Sequence, residues 1–180
     1  MRILDSLKRR LVRDVDASEI AEAALVLPLL FMILLGIYWF GRAFNIYATI
    51  NHAAQQVARI GVAQTCANCG NHNIDPLIAT TLIDNILQAS SVDPSQIILH
   101  DPTPTACPIA GYTMTRNVLG SNNNILYYNY TWINAGNITY PPVCGVRITF
   151  QYPYQFWLPF TSLNNQRIIL TADVQMKGEY

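Results

Sequence analysis

The sequence predicts an α+β protein: a long N-terminal helix that crosses a membrane and continues as a stalk, a second packed helix, and a small antiparallel β-sheet. Three observations carry that reading. Ala23 to Gly41 contains no charged side chain, and a helix of roughly 20 apolar residues spans a hydrocarbon core about 30 Å thick. Beyond that run Phe40, Phe44, Tyr47, Ile50, Ala54, Val57 and Gly61 recur at spacings of three or four, which places them on one helical face. Past residue 64 charge is scarce, Asn, Thr, Tyr and Pro accumulate, and stretches of period-two alternation replace the helical period.

The chain divides on this reading into a basic leader over 1–19, a membrane span over 20–42, an amphipathic stalk over 43–64 and an exported α+β domain over 65–180. The leader carries Arg2, Lys8, Arg9, Arg10 and Arg13 against three aspartates and reads first as a positively charged tether that sets topology; the alternative is an amphipathic surface helix, since Ile3, Leu4, Leu7, Leu11 and Val12 are spaced to share a helical face. After the span come Arg42 and Arg59, then no Lys or Arg until Arg116. Basic residues resist translocation, so the N-terminus is expected in the cytoplasm and the C-terminal part outside it. A cleaved secretory signal would end in a small-x-small site, whereas the bulky WFGRAFNIY follows here.

Within the span, Glu22 is the one carboxylate in an apolar start. Near the cytoplasmic edge the helix dipole favours it, while at mid-bilayer it would cost on the order of 2–3 kcal/mol and call for a partner subunit's amine. Pro28 removes a backbone donor and is expected to kink or loosen the helix. Gly36 and Gly41 leave flat surface for a neighbouring helix.

Four cysteines, Cys66, Cys69, Cys107 and Cys144, all follow the span. Cys66-Ala-Asn-Cys69 lacks the directly following His of a haem attachment, no second CxxC stands at zinc-finger spacing, and a thioredoxin-type motif would need a βαβ frame. Structural disulfides are expected, written as Cys66–Cys69 and Cys107–Cys144, one of the three pairings that four cysteines allow. Asp75-Pro76 opens a helix whose apolar stripe, Leu77 to Leu87, runs to Ala89. Gln96 to His100 reads as a short strand stopped by DPTPTACP. Residues 103–142 are the least regular; Asn122 to Asn124 and Gly136-Asn137 mark turns around the strand-like ILYYNYTWI, whose aromatic residues are expected to pack rather than to contact a partner or glycan. Val143 to Tyr152 and Arg167 to Met176 alternate as strands, and in the loop between them Phe156, Trp157, Leu158 and Phe160 are expected to pack under the sheet.

A formal charge of zero offers no basic patch for nucleic acid. His52, His72 and His100 sit in no nucleophile or metal motif, and the chain has no Gly-rich phosphate loop and no GxSxG. The expectation is therefore a non-enzyme without metal or cofactor.

AEAALVLPLLFMILLGIYWFGRAFNIYATINHAAQQVARIGV resembles the N-terminal signature of the TadE-like family, the minor pseudopilins of the tight-adherence (Flp-type) pilus machinery. The resemblance rests on Glu22, Leu25 to Pro28, Gly36 to Arg42 and Asn51 to Gly61; the closing ILTADVQMKGEY is similar to the family's last strand. It implies a pilin-like fold, residence in the bacterial inner membrane with the C-terminal domain periplasmic or extracellular, and a part in pilus assembly. The implied partners are the lipid bilayer, other pilin or pseudopilin subunits, inner-membrane assembly proteins and a prepilin peptidase. That peptidase would cut between Ala17 and Ser18, making Glu22 the fifth mature residue. Ala17 stands where the family usually has Gly, and Ala23 where it commonly has an aromatic residue, so an uncleaved anchored subunit is the alternative. The rival from another class is a single-pass anchor carrying a periplasmic ligand-binding or sensor domain; a third is a CxxC thiol oxidoreductase.

Overall fold

The structure, a computed structural model, describes residues 2–63, 75–111, 113–135, 140–156 and 167–178, with side chains from Glu19 onward except Ala21. It contains α1 (Arg2–Val62), α2 (Pro76–Ala89), a 3₁₀ turn (Pro94–Gln96) and strands β1 (Thr115–Leu119), β2 (Ile125–Trp132), β3 (Cys144–Gln155) and β4 (Arg167–Lys177). This is the predicted α+β class: one long apolar N-terminal helix, a second helix and a four-stranded antiparallel sheet. By contacts the chain forms two compact units, residues 1–42 and 43–180.

In the first unit the helix does not begin at Ile20 but already at Arg2. The physical reason is in the sequence: residues 2–27 contain neither Gly nor Pro and are rich in Leu, Arg, Ala and Glu. Extending an existing helix through good helix formers costs little compared with nucleating one.

In the second unit the remainder of α1 buries Ile46, Ile50, Ala53, Ala54, Val57 and Ala58. The predicted stripe is therefore right only in its later part; Phe40, Phe44 and Tyr47 are exposed. Large apolar residues stand on several sides of the helix between Phe40 and Ile50, so spacing alone could not set the phase. The buried face is set instead by Ile46, Ile50, Ala53, Ala54, Val57 and Ala58. α2 starts as predicted, with Asp75 as N-cap accepting from the Leu77 N–H at 2.9 Å and Pro76 at its first position. It buries Ala79, Ile83 and Leu87, one per turn.

The sheet is a meander in the order β1-β2-β3-β4. Residues opposite each other in an antiparallel pair share a face. One face carries Leu119 with Ile125, then Tyr127 with Ile148 and Val174, then Phe150 with Ala172; apart from Val174, all of these are buried. The other face carries a straight polar row, Arg116–Tyr128–Arg147–Gln175, one residue from each strand. Beside it Arg147 holds Asp173 through two hydrogen bonds, 2.9 and 2.6 Å.

A strap crosses that second face. At one end Ile98 and Gln151 exchange backbone hydrogen bonds of 2.8 and 3.0 Å. At the other, Cys107 donates to the Tyr130 carbonyl and Trp132 donates to that of Thr105, both at 2.9 Å. Midway, Asp101 accepts from the Tyr128 hydroxyl and from Arg116. The disulfide Cys107–Cys144, with Cα atoms 5.6 Å apart, fastens the far end to the start of β3. Leu126 and Tyr128 are buried although they face away from Tyr127, as expected for a strand covered on both sides.

The strand expected over 96–100 is reduced to that single bridge at Ile98. Asp93 accepts from the Ser95 N–H at 2.9 Å and caps a 3₁₀ turn instead, and prolines at 102 and 104 deny further ladder donors. β1 was not anticipated. TRNVL shows only weak alternation and gains its strand form from pairing with β2. β3 runs to Gln155, past the expected end at Tyr152, and includes Pro153. Gln151 turns its N–H and C=O towards Ile98, so Pro153, two residues on, turns its missing donor to the same side, away from β4. Gly145 has no substitute: a Cβ there would overlap the Met176 carbonyl oxygen and lie 2.6 Å from Ile133 Cδ1. Trp157, Leu158, Phe160 and the Gly136-Asn137 turn lie outside the described residues.

Candidate membrane and assembly surface

The segment from Glu22 onward is the one described helix long and apolar enough to cross a membrane, and none of its most apolar 18-residue window is buried within the chain. Leu25 is 75% and Met32 74% exposed, and Leu27, Leu29, Leu30, Phe31, Ile33, Leu34 and Ile37 are exposed around them. Apolar side chains thus point out on every side of the helix, which a surface helix of a water-soluble domain does not tolerate.

The residues singled out by sequence fall along this surface. Glu22 is exposed on α1, and Pro28 lies inside the helix. A Cβ added at Gly36 or Gly41 would meet nothing within 4 Å, so nothing described in this chain requires glycine there. Tyr38 and Trp39 form an edge-on pair with centroids 5.3 Å apart. The Ala17–Ser18 bond falls within the helical backbone of α1, and the side chains of both residues lie outside the described set. Cys66 and Cys69 also lie outside the described residues, whereas Cys107 and Cys144 are joined.

In the second unit the perturbed groups are scattered rather than convergent. Burial pushes the Asp84 carboxyl above its ordinary value of 3.8, opposed by a hydrogen bond from Ser121, and its Oδ1 is buried with no hydrogen-bond partner among the described residues. Burial, with a smaller contribution from Tyr130, raises the Tyr127 hydroxyl, which is likewise buried without a partner. Burial and the hydrogen bond to Asp101 raise Tyr128. Among the described residues no three of His, Cys, Asp and Glu cluster closely enough to hold a metal ion. The ion pairs Arg116–Asp101 and Arg147–Asp173 escaped the sequence reading because their members are 15 and 26 residues apart. Strand register could have found the second, since Asp173 sits diagonally across from Arg147.

Residues 18–59 match the family described as TadE-like protein. The matched segment lies wholly within α1 and carries the motif residues Glu22, Pro28, Gly36, Gly41 and Arg42. No curated protein and no solved structure matches the chain.

Proposed function

We propose, starting from an α1 whose residues 18–59 are TadE-like, that this protein is a membrane-anchored, minor pseudopilin-like subunit that supports assembly of a tight-adherence (Flp-type) pilus. The observation that carries the reading is the coincidence of the TadE-like segment with the all-round apolar surface of α1. A span of that length fits single-pass anchoring. The helix continues past Arg42 into the TadE-like stalk segment, where Ile46, Ile50, Ala53, Ala54, Val57 and Ala58 are buried.

In this reading the span lies in the inner membrane with the N-terminus cytoplasmic and residues 65–180 exported, as the basic leader favours. Gly36 and Gly41 offer the flat contact where another subunit's helix packs. Glu22 pairs with a partner subunit's amine inside the membrane, a prepilin peptidase cuts before Ser18, and the protein performs no chemistry itself. The competing proposal, a single-pass anchored ligand-binding or sensor domain, draws on the same helix but leaves the TadE-like motif unused.

Two measurements test the reading. The N-terminus of the membrane-extracted protein is expected at Ser18; a start beyond Gly41 would sink the anchor altogether, and Met1 would remove the processing step alone. Glu22→Ala is expected to abolish pilus output while the protein still fractionates with membranes, and normal pilus output would refute the pairing role.

A further inference from the structure

In the second unit β4 closes the sheet on one side, and its outer edge is open. The β3–β4 ladder runs without interruption from Gly145↔Lys177 to Gln155↔Arg167. Gln151 directs its N–H and C=O to Ile98, and Gly178 donates to the Cys144 carbonyl at 3.0 Å, so the even-numbered residues of both strands hold this ladder together. Odd-numbered Ile169, Thr171, Asp173, Gln175 and Lys177 therefore turn their N–H and C=O groups outward, where no backbone partner meets them among the described residues. Ile169 is 54% exposed, and Asp173, Gln175 and Lys177 are exposed as well. The strand has 11 residues, no proline and no bulge. The opposite edge is built differently. There β1 has 5 residues, α2 lies against it, and the Gly120 N–H just past its end donates to the Thr80 hydroxyl oxygen at 2.9 Å. Sheets normally shorten, bend or cover an edge, because unpaired strand backbone recruits another strand.

We propose that β4 is a docking edge whose occupant is an extended segment of another protein, adding one strand to the sheet and carrying an acidic residue at each end. In strand addition the main-chain hydrogen bonds supply affinity and alternate side chains supply selectivity. The selecting charges are Arg167 and Lys177, exposed at the two ends of β4, and neither has an ion-pair partner among the described residues. Between them Asp173 is already neutralised by Arg147. On the other face Ile168, Leu170, Val174 and Met176 are exposed or half-buried, so every second residue of the added strand meets an apolar neighbour. A second copy of β4 matches poorly. The antiparallel register that pairs the whole strand with itself sets Arg167 opposite Lys177 at both ends, and like charges directly opposite destabilise. The edge does not depend on the pilus reading and would serve either kind of anchored protein.

The test uses the full chain in detergent micelles, with amide hydrogen exchange followed residue by residue by NMR. The probe is a synthetic peptide of β4's length, blocked at both termini, in which Val and Thr alternate and Glu stands at each end. The amides of Ile169, Thr171, Asp173, Gln175 and Lys177 are expected to exchange freely at first and to become protected saturably as peptide is added. Their even-numbered neighbours should be protected throughout. The same peptide ended in Lys is expected to bind at least about tenfold more weakly, because both end pairs turn from attractive to repulsive. Arg167→Glu/Lys177→Glu, at two exposed positions, should reverse that preference, with unchanged even-numbered protection showing that the variant is folded. No protection of the odd-numbered amides by the Glu-ended peptide overturns the proposal. So does equal binding of the two peptides, or a double variant that keeps the original preference. Odd-numbered amides protected before any peptide is added overturn it too: protection that fades on dilution assigns the edge to a second copy, and protection that persists assigns it to this chain itself.

Discussion

Cys107→Ala/Cys144→Ala is expected to cost the second unit about 4 kcal/mol of unfolding free energy. The bond closes a sequence separation of 37 residues, and in the chain-entropy account a loop of that length restricts the unfolded chain by about 4 kcal/mol at 25 °C. The Cα separation of 5.6 Å is ordinary for a disulfide. Cys144 is fully buried, so alanine is the right replacement; serine would add a hydroxyl with nothing to satisfy it. The assay is urea unfolding of the full chain in detergent, followed by near-ultraviolet circular dichroism, in a Cys66→Ala/Cys69→Ala background that confines the effect to this bond. Besides the lower free energy, the denaturant slope should steepen, because an unfolded chain without the cross-link exposes more surface. A loss below about 1 kcal/mol with an unchanged slope would show that the strap is held by its hydrogen bonds and not by the disulfide.

Gly145→Ala should destabilise the second unit by at least the roughly 1–3 kcal/mol typical of overpacking, since the added methyl overlaps the Met176 carbonyl; Gly36→Ala should leave its thermal midpoint unchanged. Asp84→Asn should raise stability at neutral pH. A carboxyl with a raised folded-state pKa binds its proton more tightly folded than unfolded, so wild-type stability falls as pH rises from 3.8 through the folded value, and the variant's advantage should vanish in acid. Tyr127→Phe removes a buried hydroxyl that has no partner among the described residues and should be neutral or stabilising in denaturant titration. The wild type should also lose stability as pH rises above about 10, where the unfolded tyrosine ionises while the buried one stays protonated; the phenylalanine variant should lack that component.

Much of this architecture was legible in the sequence, for reasons that differ by element. The uncharged run Ala23 to Gly41 and the Asp75-Pro76 cap are local signals, and local signals survive folding. The last two strands were legible because Val146, Ile148 and Phe150 alternate strictly with polar neighbours on a sheet with one largely apolar, buried face. β1 was not, because TRNVL lies at the edge and owes its conformation to β2. The phase of the stalk was lost among Phe40, Phe44 and Tyr47, whose apolarity is directed outward. The polar row of the second face was least legible of all: Arg116, Tyr128, Arg147 and Gln175 are far apart in sequence, and only the three strand registers bring them into line.

The covalent closure of residues 107–144 has a mechanical side. The ring it forms contains β1 and β2 entire, so a pull applied to the two ends of the chain bypasses both strands. At about 3.4 Å per extended residue, close to 130 Å of contour is withdrawn from stretching. Load entering through α1 would pass from the strap across the sulfur bridge into β3 and out through β4, sparing the β1–β2 hairpin. A domain wired in this way can yield at its ends while its β1–β2 hairpin stays folded.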